Sequence, residues 1–271
     1  MRASSQAALR LAQERWEPVL RGTGERGVTL GEQLFALVDT LDSSAALRRA
    51  LTEPSRDGAD KARLAATVLQ GRVDTEVVDL VSGLVRERWS DDGDLADAVE
   101  SLAATSVLAA AEQAGRLADV EDESFRLVRT FADERELRAA VEDRNLTPER
   151  RAGLMETVLA GKVTPETLVL AVRAARTLRH RSVTSALRVV TELAAERRAH
   201  LVASVTSAVP LTREQIERLQ RILRRSYGRD VAVHVGVDPE LVGGVRVQVG
   251  DDVIDGTLAT RLADARRRLA G

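Results

Sequence analysis

Sliding the chain by 90 residues lays Glu32–Ser90 on Asp122–His180 without a gap, and 17 of the 59 paired positions are identical. Phe35, Leu37, Val38, Thr40, Leu47, Arg48 and Ala50 fall on Phe125, Leu127, Val128, Thr130, Leu137, Arg138 and Ala140. Ala62, Leu64, Thr67, Val68, Leu69, Gly71 and Val73 fall on Ala152, Leu154, Thr157, Val158, Leu159, Gly161 and Val163, and Glu76, Leu80 and Arg86 on Glu166, Leu170 and Arg176. Most of these are apolar or cap positions. Two segments with the same core faces and the same caps must bury them in the same way, so the sequence predicts two tandem helical bundles.

Helical periodicity fills in each copy. Ala8, Leu9, Leu11, Ala12 and Trp16 predict an opening helix that ends near Pro18, followed by a loop through Gly22, Gly24 and Gly27. Further helices are expected over Thr29–Leu41, Ser44–Leu51, Asp60–Leu69 and Thr75–Arg88, with Gly71 as a C-cap. In copy two the opening helix is expected at Thr105–Leu117, where Leu108 and Ala111 stand for Leu9 and Ala12, and Asp94–Val120 reads as one helix shared by both bundles. Thr147-Pro148 and Thr164-Pro165 each set a capping hydroxyl before a proline at the first helical position. Arg173–Arg198 is predicted to run on as helix.

Strand signals become dense only near the end. Leu201–Val209 reads as a strand, and Thr212 with Gln215 as a capping box stapled by Leu211 and Ile216. Val231, Val233, Val235 and Val237 alternate with small or polar residues, as do Val245, Val247 and Val249. Gly250-Asp251 fits a hairpin turn into Asp252–Asp255, and Thr257 caps a last helix carrying Leu258, Leu262, Ala265 and Leu269. The expected fold is therefore mainly α with a small α/β C-terminal module. It divides as bundle one at 1–104, bundle two at 105–200 and the module at 201–271, with a short mixed or antiparallel sheet packed by helices.

Composition narrows the function. There are no cysteines, which excludes thiolate metal sites, disulfides and cysteine nucleophiles. Aromatics are 2% of the chain, so the cores are Leu, Val and Ala. No apolar run is long enough to span a bilayer, and Arg10, Glu14 and Arg15 interrupt the place where an export signal needs its apolar centre. Net charge is −2, but Ser90–Glu123 is acidic and Arg173–Arg198 basic, and Lys61 and Lys162 are the only lysines among 40 basic residues. His180, His200 and His234 lack metal-ligand spacing. Gly161-Lys162 lacks the rest of a phosphate loop and reads as a helix C-cap. Asp91-Asp92-Gly93-Asp94 reads as a loop, and Asp251, Asp252 and Asp255 as hairpin residues. No catalytic, cofactor or metal constellation is expected. The arginine patches, Arg224-Arg225 and Arg266–Arg268 among them, leave a nucleic-acid-binding adaptor as the alternative reading.

The C-terminal motif carries a resemblance. Asp238, Leu241, Val242, Gly243, Gly244, Val245, Val247, Gly250, Asp251, Val253, Ile254, Asp255 and Thr257 stand in order, preceded by Ser207–Thr212, Gln215, Leu219, Leu223 and Gly228. This pattern resembles the δ subunit family of bacterial F-type ATP synthases, relatives of the mitochondrial oligomycin-sensitivity-conferring subunit, in its long actinobacterial form. The resemblance implies a non-catalytic stator subunit at the cytoplasmic face of the cell membrane. It would hold the N-terminal helices of the α subunits through its helical region and the membrane-anchored b subunit through its C-terminal module. It implies no cofactor, no small-molecule substrate, no nucleic acid, and membrane contact only through partner subunits. By family analogy the groove lies between the first and fifth helices of a bundle, which points to Leu9, Ala12, Val81 and Val85 in copy one, or Leu108, Ala111, Ala171 and Ala175 in copy two; the same residues also fit the bundle core, and for most of them core is the better reading.

Overall fold

The computed structural model of the chain describes residues 1–178, 182–199, 202–227, 231–238, 241, 243–249 and 252–255. Contacts divide it into two units, Met1–Ala194 and Ala195–Gly271.

The first unit is all helix. Copy one begins with α1 (Ala3–Leu20), α2 (Arg26–Ser43), α3 (Ala45–Thr52), α4 (Gly58–Leu69) and α5 (Thr75–Leu84), and copy two repeats α2 to α5 with α7 (Leu117–Asp133), α8 (Arg135–Val141), α9 (Pro148–Leu159) and α10 (Pro165–Thr177). Helix α6 (Asp92–Gln113) lies between, and α11 (Val183–Ala199) follows. Fourteen of the 22 residues of α6 are buried, because α1, α2, α3, α7 and α10 all pack on it. The shared helix expected from sequence exists, but it starts at Asp92 and stops where Gly115 takes φ +72°.

Several boundaries differ from expectation for local reasons. The aspartates at 91–94 form no loop. Asp91 caps α6 by accepting from the Gly93 N–H at 2.9 Å, and Asp92 and Asp94 sit in the first turn, where the helix dipole favours acid. Pro18 does not end α1, which continues to Leu20. Gly27 belongs to α2 rather than to a loop. With Gly31 it lets α2 lie against α6: a Cβ at Gly31 would come within 2.7 Å of Val107 Cγ2 and 2.9 Å of the Ala103 carbonyl. The helical run expected from Arg173 to Arg198 is broken at Leu178, a buried residue with φ +45°. Neither glycine nor proline marks that break.

The duplication extends to hydrogen bonds. The Arg48 Nη1 donates to the Leu41 and Asp42 carbonyls, and the Arg138 Nη1 to those of Phe131 and Ala132. Gln33 Oε1 accepts from the Asp74 N–H at 2.9 Å, and Glu123 Oε2 from the Thr164 N–H at 2.9 Å. Gly71 and Gly161 end α4 and α9 at φ +75° and +69°. Arg26 pairs with Glu76, and Arg116 with Glu166. Every one of these pairs is 90 residues apart. Thr147 and Thr164 cap α9 and α10, each ahead of its proline.

The second unit carries a mixed four-stranded sheet in the order β2 (Ala232–Val237), β1 (Val202–Ser207), β3 (Val245–Val249), β4 (Asp252–Asp255). β1 runs parallel to β2 and antiparallel to β3, and β3 and β4 are antiparallel neighbours. Helix α12 (Arg213–Tyr227) joins β1 to β2, the connection a parallel pair requires. Its capping box forms as expected: Gln215 Oε1 accepts from the Thr212 N–H at 2.8 Å, and Thr212 Oγ1 from the Gln215 N–H at 3.3 Å. Ala203, Val205, Val247, Val249, Leu223 and Val231 form the core, with Val233 and Val235 packed on it, while His234, Arg246 and Gln248 face outward.

Candidate partner-binding groove

Helix α1 buries a stripe of Ser5, Ala8, Ala12, Trp16 and Leu20 and leaves the neighbouring stripe of Leu11, Arg15 and Val19 uncovered. Helix α5 buries Val77, Leu80, Val81 and Leu84 and turns Glu76, Asp79 and Gly83 outward. The two uncovered stripes face each other across a groove of about 260 Å3. Ala12, Trp16, Leu80 and Leu84 make an apolar floor, Leu11 remains 41% exposed at its edge, and Glu76, Asp79 and Glu87 outnumber Arg15 at the rim. Gly83 keeps the middle open: the nearest atom to a Cβ placed there is Arg15 Nη1 at 3.7 Å. Trp16 is fixed by donating from Nε1 to Ser106 Oγ at 2.8 Å.

In copy two, five of the same positions line a cleft of about 360 Å3 beside α6 and α10, with different chemistry. Ser101, Leu170, Arg173, Ala174 and Thr177 replace Leu11, Leu80, Gly83, Leu84 and Glu87. Arg173 crosses from α10 to α6. Its Nε donates to Glu100 Oε1 at 3.0 Å, its Nη2 to Glu100 Oε2 at 2.6 Å and its Nη1 to Asp39 Oδ1 at 2.5 Å, with Cζ 4.8 Å from the Phe35 ring centre. Its side chain is 7% exposed. Burial alone would lower the guanidinium pKa, but the bonds and charges of Glu100 and Asp39 outweigh it and hold the pKa above its usual value. This pair joins the basic and acidic stretches of the sequence inside the molecule.

Of the residues that the family analogy points to, Ala12 lines the groove. Leu9 is half-buried outside the lining. Val81, Val85, Leu108, Ala111, Ala171 and Ala175 line neither this groove nor the cleft of copy two and are buried in the core. The groove face of α5 is the stripe 76, 79, 80, 83, 87; the stripe through 81 and 85 is one residue out of phase, which rotates it by about 100° into the bundle. Periodicity marked the apolar stripe. The adjoining acid-and-glycine stripe of α5 was the signal that a groove lies beside it.

The C-terminal motif builds the β2–β3 connection. The Asp238 N–H donates to the Ser207 carbonyl at 2.9 Å and the Leu241 N–H to the Asp238 carbonyl at 3.2 Å. Gly243 and Gly244 take φ +122° and +89°, values that exclude most side chains. Asp255 ends β4 opposite Arg246. Val242, Gly250, Asp251, Thr257 and the expected final helix lie outside the described residues, as do His180, His200, Gly228 and Arg266–Arg268. Gly161-Lys162 ends α9, with Lys162 Nζ donating to the Val158 carbonyl at 2.8 Å. Among the described residues no group of three or more His, Asp or Glu side chains is placed to hold a metal ion. Nor, among them, is any helix long and apolar enough to cross a membrane.

Residues 99–269 match the family "ATP synthase delta (OSCP) subunit", a match that begins inside α6 and leaves α1–α5 outside it. Curated relatives run the whole length. The ATP synthase subunit delta of Beutenbergia cavernae is 55% identical over 100% of both chains, that of Streptomyces griseus 45% over 100% of both, and that of Kineococcus radiotolerans 47% over 98% of this chain and 97% of its own. A solved chain of the Toxoplasma gondii mitochondrial ATP synthase hexamer is a distant match, which covers 62% of this chain and 95% of its own at 14% identity and a TM-score of 0.33. On the extent of the family match and the full-length identities, this chain belongs to the ATP synthase delta (OSCP) subunit family.

Proposed function

We propose that the chain is a stator subunit that ties the α subunits of the catalytic head to the b stalk, and that it grips the head through the α1/α5 groove of copy one. The observation that carries this is the contrast between the grooves. An amphipathic helix can set its apolar face against Leu11 and Val19 and over the floor of Ala12, Trp16, Leu80 and Leu84, where no ion pair bridges α1 and α5 among the described residues. To part α6 from α10 it would first have to break the bonds of Arg173. The acidic rim favours a helix with basic residues beside its apolar stripe. The C-terminal module, whose strand β4 leaves Val253 and Ile254 more than half exposed, serves the b subunit. The subunit then sits at the cytoplasmic face of the membrane, held there by its partners. The nucleic-acid alternative gains no support from the three relatives above, each named as a synthase subunit.

A synthetic peptide copying the N-terminal helix of the synthase's α subunit, titrated into the full chain and followed by NMR, tests the assignment. Shifts at Leu11, Arg15, Gly83 and Glu87 with micromolar or tighter affinity are expected. Gly83→Arg, which copies the arrangement of copy two, should weaken binding at least tenfold. Shifts confined to α6 and α10, or none, overturn the assignment.

A further inference from the structure

A cavity of about 680 Å3 opens in copy one at the start of α4, on residues that the groove does not use. Four cations line it, Arg56, Lys61, Arg86 and Arg88, against one carboxylate, Asp57. Asp57 is already engaged, its Oδ2 accepting from the Ala59 N–H at 3.1 Å as the cap of α4. Lys61 is only 3% exposed. Among the described residues, none of the four cationic side chains makes a hydrogen bond or an ion pair. Burial and the charge of Arg88 push the Lys61 pKa down, partly opposed by Asp57, Glu53 and Glu87. The ammonium reaches the cavity but is partly withdrawn from water with no counter-charge in contact, which is costly, and an anion beside it offsets that cost. The dipole of α4, twelve residues long, adds positive potential from behind. Gly58 draws the helix start onto the Arg86 segment: a Cβ there would lie 3.4 Å from the Arg86 Cα and carbonyl oxygen.

Copy two shows what the same seat looks like when the protein fills it. Arg151 stands 90 residues after Lys61 and donates from Nε to the Ala175 carbonyl at 2.9 Å, from Nη1 to that of Leu146 at 2.7 Å and from Nη2 to that of Arg176 at 2.8 Å. Leu146 and Leu178 replace Arg56 and Arg88, and Arg176 pairs with Glu149 at 3.3 Å. One member of the repeat answers its buried cation with carbonyls; the other surrounds it with more cations.

We propose that the copy-one cavity is a binding site for a phosphate-class oxyanion, with Lys61 as its buried anchor and Arg56, Arg86 and Arg88 around it. Free phosphate and the terminal phosphates of a nucleotide share this chemistry. The site stands independently of the groove assignment. Its test is calorimetric and NMR titration of the full chain at constant ionic strength with inorganic phosphate, ADP and ATP in separate arms and chloride as control. Saturable binding is expected, with shifts at Gly58–Lys61 and at Arg86–Arg88 and a Tm that rises with ligand. Lys61→Met should weaken binding about tenfold or more while leaving the ligand-free Tm equal to or above that of the parent chain. Arg88→Ala, at an exposed position, should weaken it severalfold with the fold intact. Tighter binding of nucleotide than of inorganic phosphate, with the same dependence on Lys61, identifies the nucleotide as source; the reverse order identifies free phosphate. Shifts that do not saturate, or that persist unchanged in Lys61→Met, overturn the proposal.

Discussion

The two bundles are one design at the level of the backbone and two designs at the level of the surface. Where an interaction sets the angle between consecutive helices, both copies retain it: Arg48 and Arg138 on the carbonyls that end the second helix, Gln33 and Glu123 on the backbone before the fifth, Gly71 and Gly161 at the turn. Where a residue faces an inter-helix groove or a cavity mouth, they part. Gly83 faces Arg173, Leu11 faces Ser101 and Lys61 faces Arg151 across the repeat. The joints are fixed by geometry that any such bundle must meet, whereas the grooves are free to specialise. Copy two has turned its cleft into an internal brace, with Arg173 reaching Asp39 of copy one, and copy one has kept its groove open.

The brace is the place to break the comparison hardest. Arg173→Met removes one partner of a buried pair and leaves Glu100, only 15% exposed, without its cation. Losses on this pattern run to about 3–5 kcal/mol, and urea denaturation of the variant should show a loss in that range. Arg173→Met with Glu100→Gln should recover a good part, because the stranded charge is then gone. Full stability in the single variant would mean that the brace is ornamental and that the two clefts differ less than their chemistry suggests.

A smaller effect separates the copies at α2. Gly31→Ala gains about 1 kcal/mol of helix propensity but pushes a methyl into Val107 and the Ala103 carbonyl. Overpacking of this kind costs about 1–3 kcal/mol. The net change should be destabilising, read as a lower denaturation midpoint. A stabilised variant would show that α2 and α6 can move apart without loss.

How much of this was legible beforehand follows the same division. The doubled bundle could be read because backbone joints write themselves into sequence as repeated caps, glycines and apolar positions. Thr147-Pro148, Thr164-Pro165, Gly71 and the Thr212/Gln215 box all do in the structure what their chemistry predicts. Leu178 could not be read, because a buried leucine at positive φ is imposed by tertiary packing and leaves no glycine or proline behind. Val81 and Val85 proved to be core, the reading the sequence favoured, because apolar periodicity finds the face a helix buries, and the open groove lies on the flank of that face. Arg173 looked like one arginine in a basic run; its partners, Glu100 and Asp39, are remote in sequence. Lys61 stood out only as one of two lysines in an arginine-rich chain.

A third contrast lies at the cap of the fifth helix. In copy two, Thr164 Oγ1 donates to Glu123 Oε2 at 2.8 Å and accepts from the Thr167 N–H at 3.4 Å. Thr164→Ala should therefore cost about 1 kcal/mol, the usual loss for a helix cap, measured by thermal or urea unfolding. In copy one, Asp74 holds the corresponding place without capping α5 by its side chain, so Asp74→Ala should lose less to capping than Thr164→Ala. Equal losses would mean that the caps are interchangeable.

What Asp74 does instead is accept from Arg26 Nη2 at 2.9 Å and from Gln33 Nε2 at 3.2 Å. The Arg26 and Gln33 bonds lower its pKa below the ordinary 3.8. A carboxyl whose pKa falls on folding contributes stability that is fully present above its unfolded value and is lost as pH falls through the folded value. The contribution of Asp74 should thus be intact at neutral pH and drain away below about pH 3.8. Because the group is exposed to solvent, salt screens it and the effect is the smallest of the series. Asp74→Asn should flatten the acid limb of the stability curve slightly while leaving its shape above pH 5 unchanged, and added salt should erase the difference between variant and parent. Thr164 cannot titrate, so Thr164→Ala should shift the whole curve down by a constant amount. An acid limb unaltered by Asp74→Asn would show that Arg26 draws its partner from Glu76 alone, and that the two copies share this joint more fully than their sequences imply.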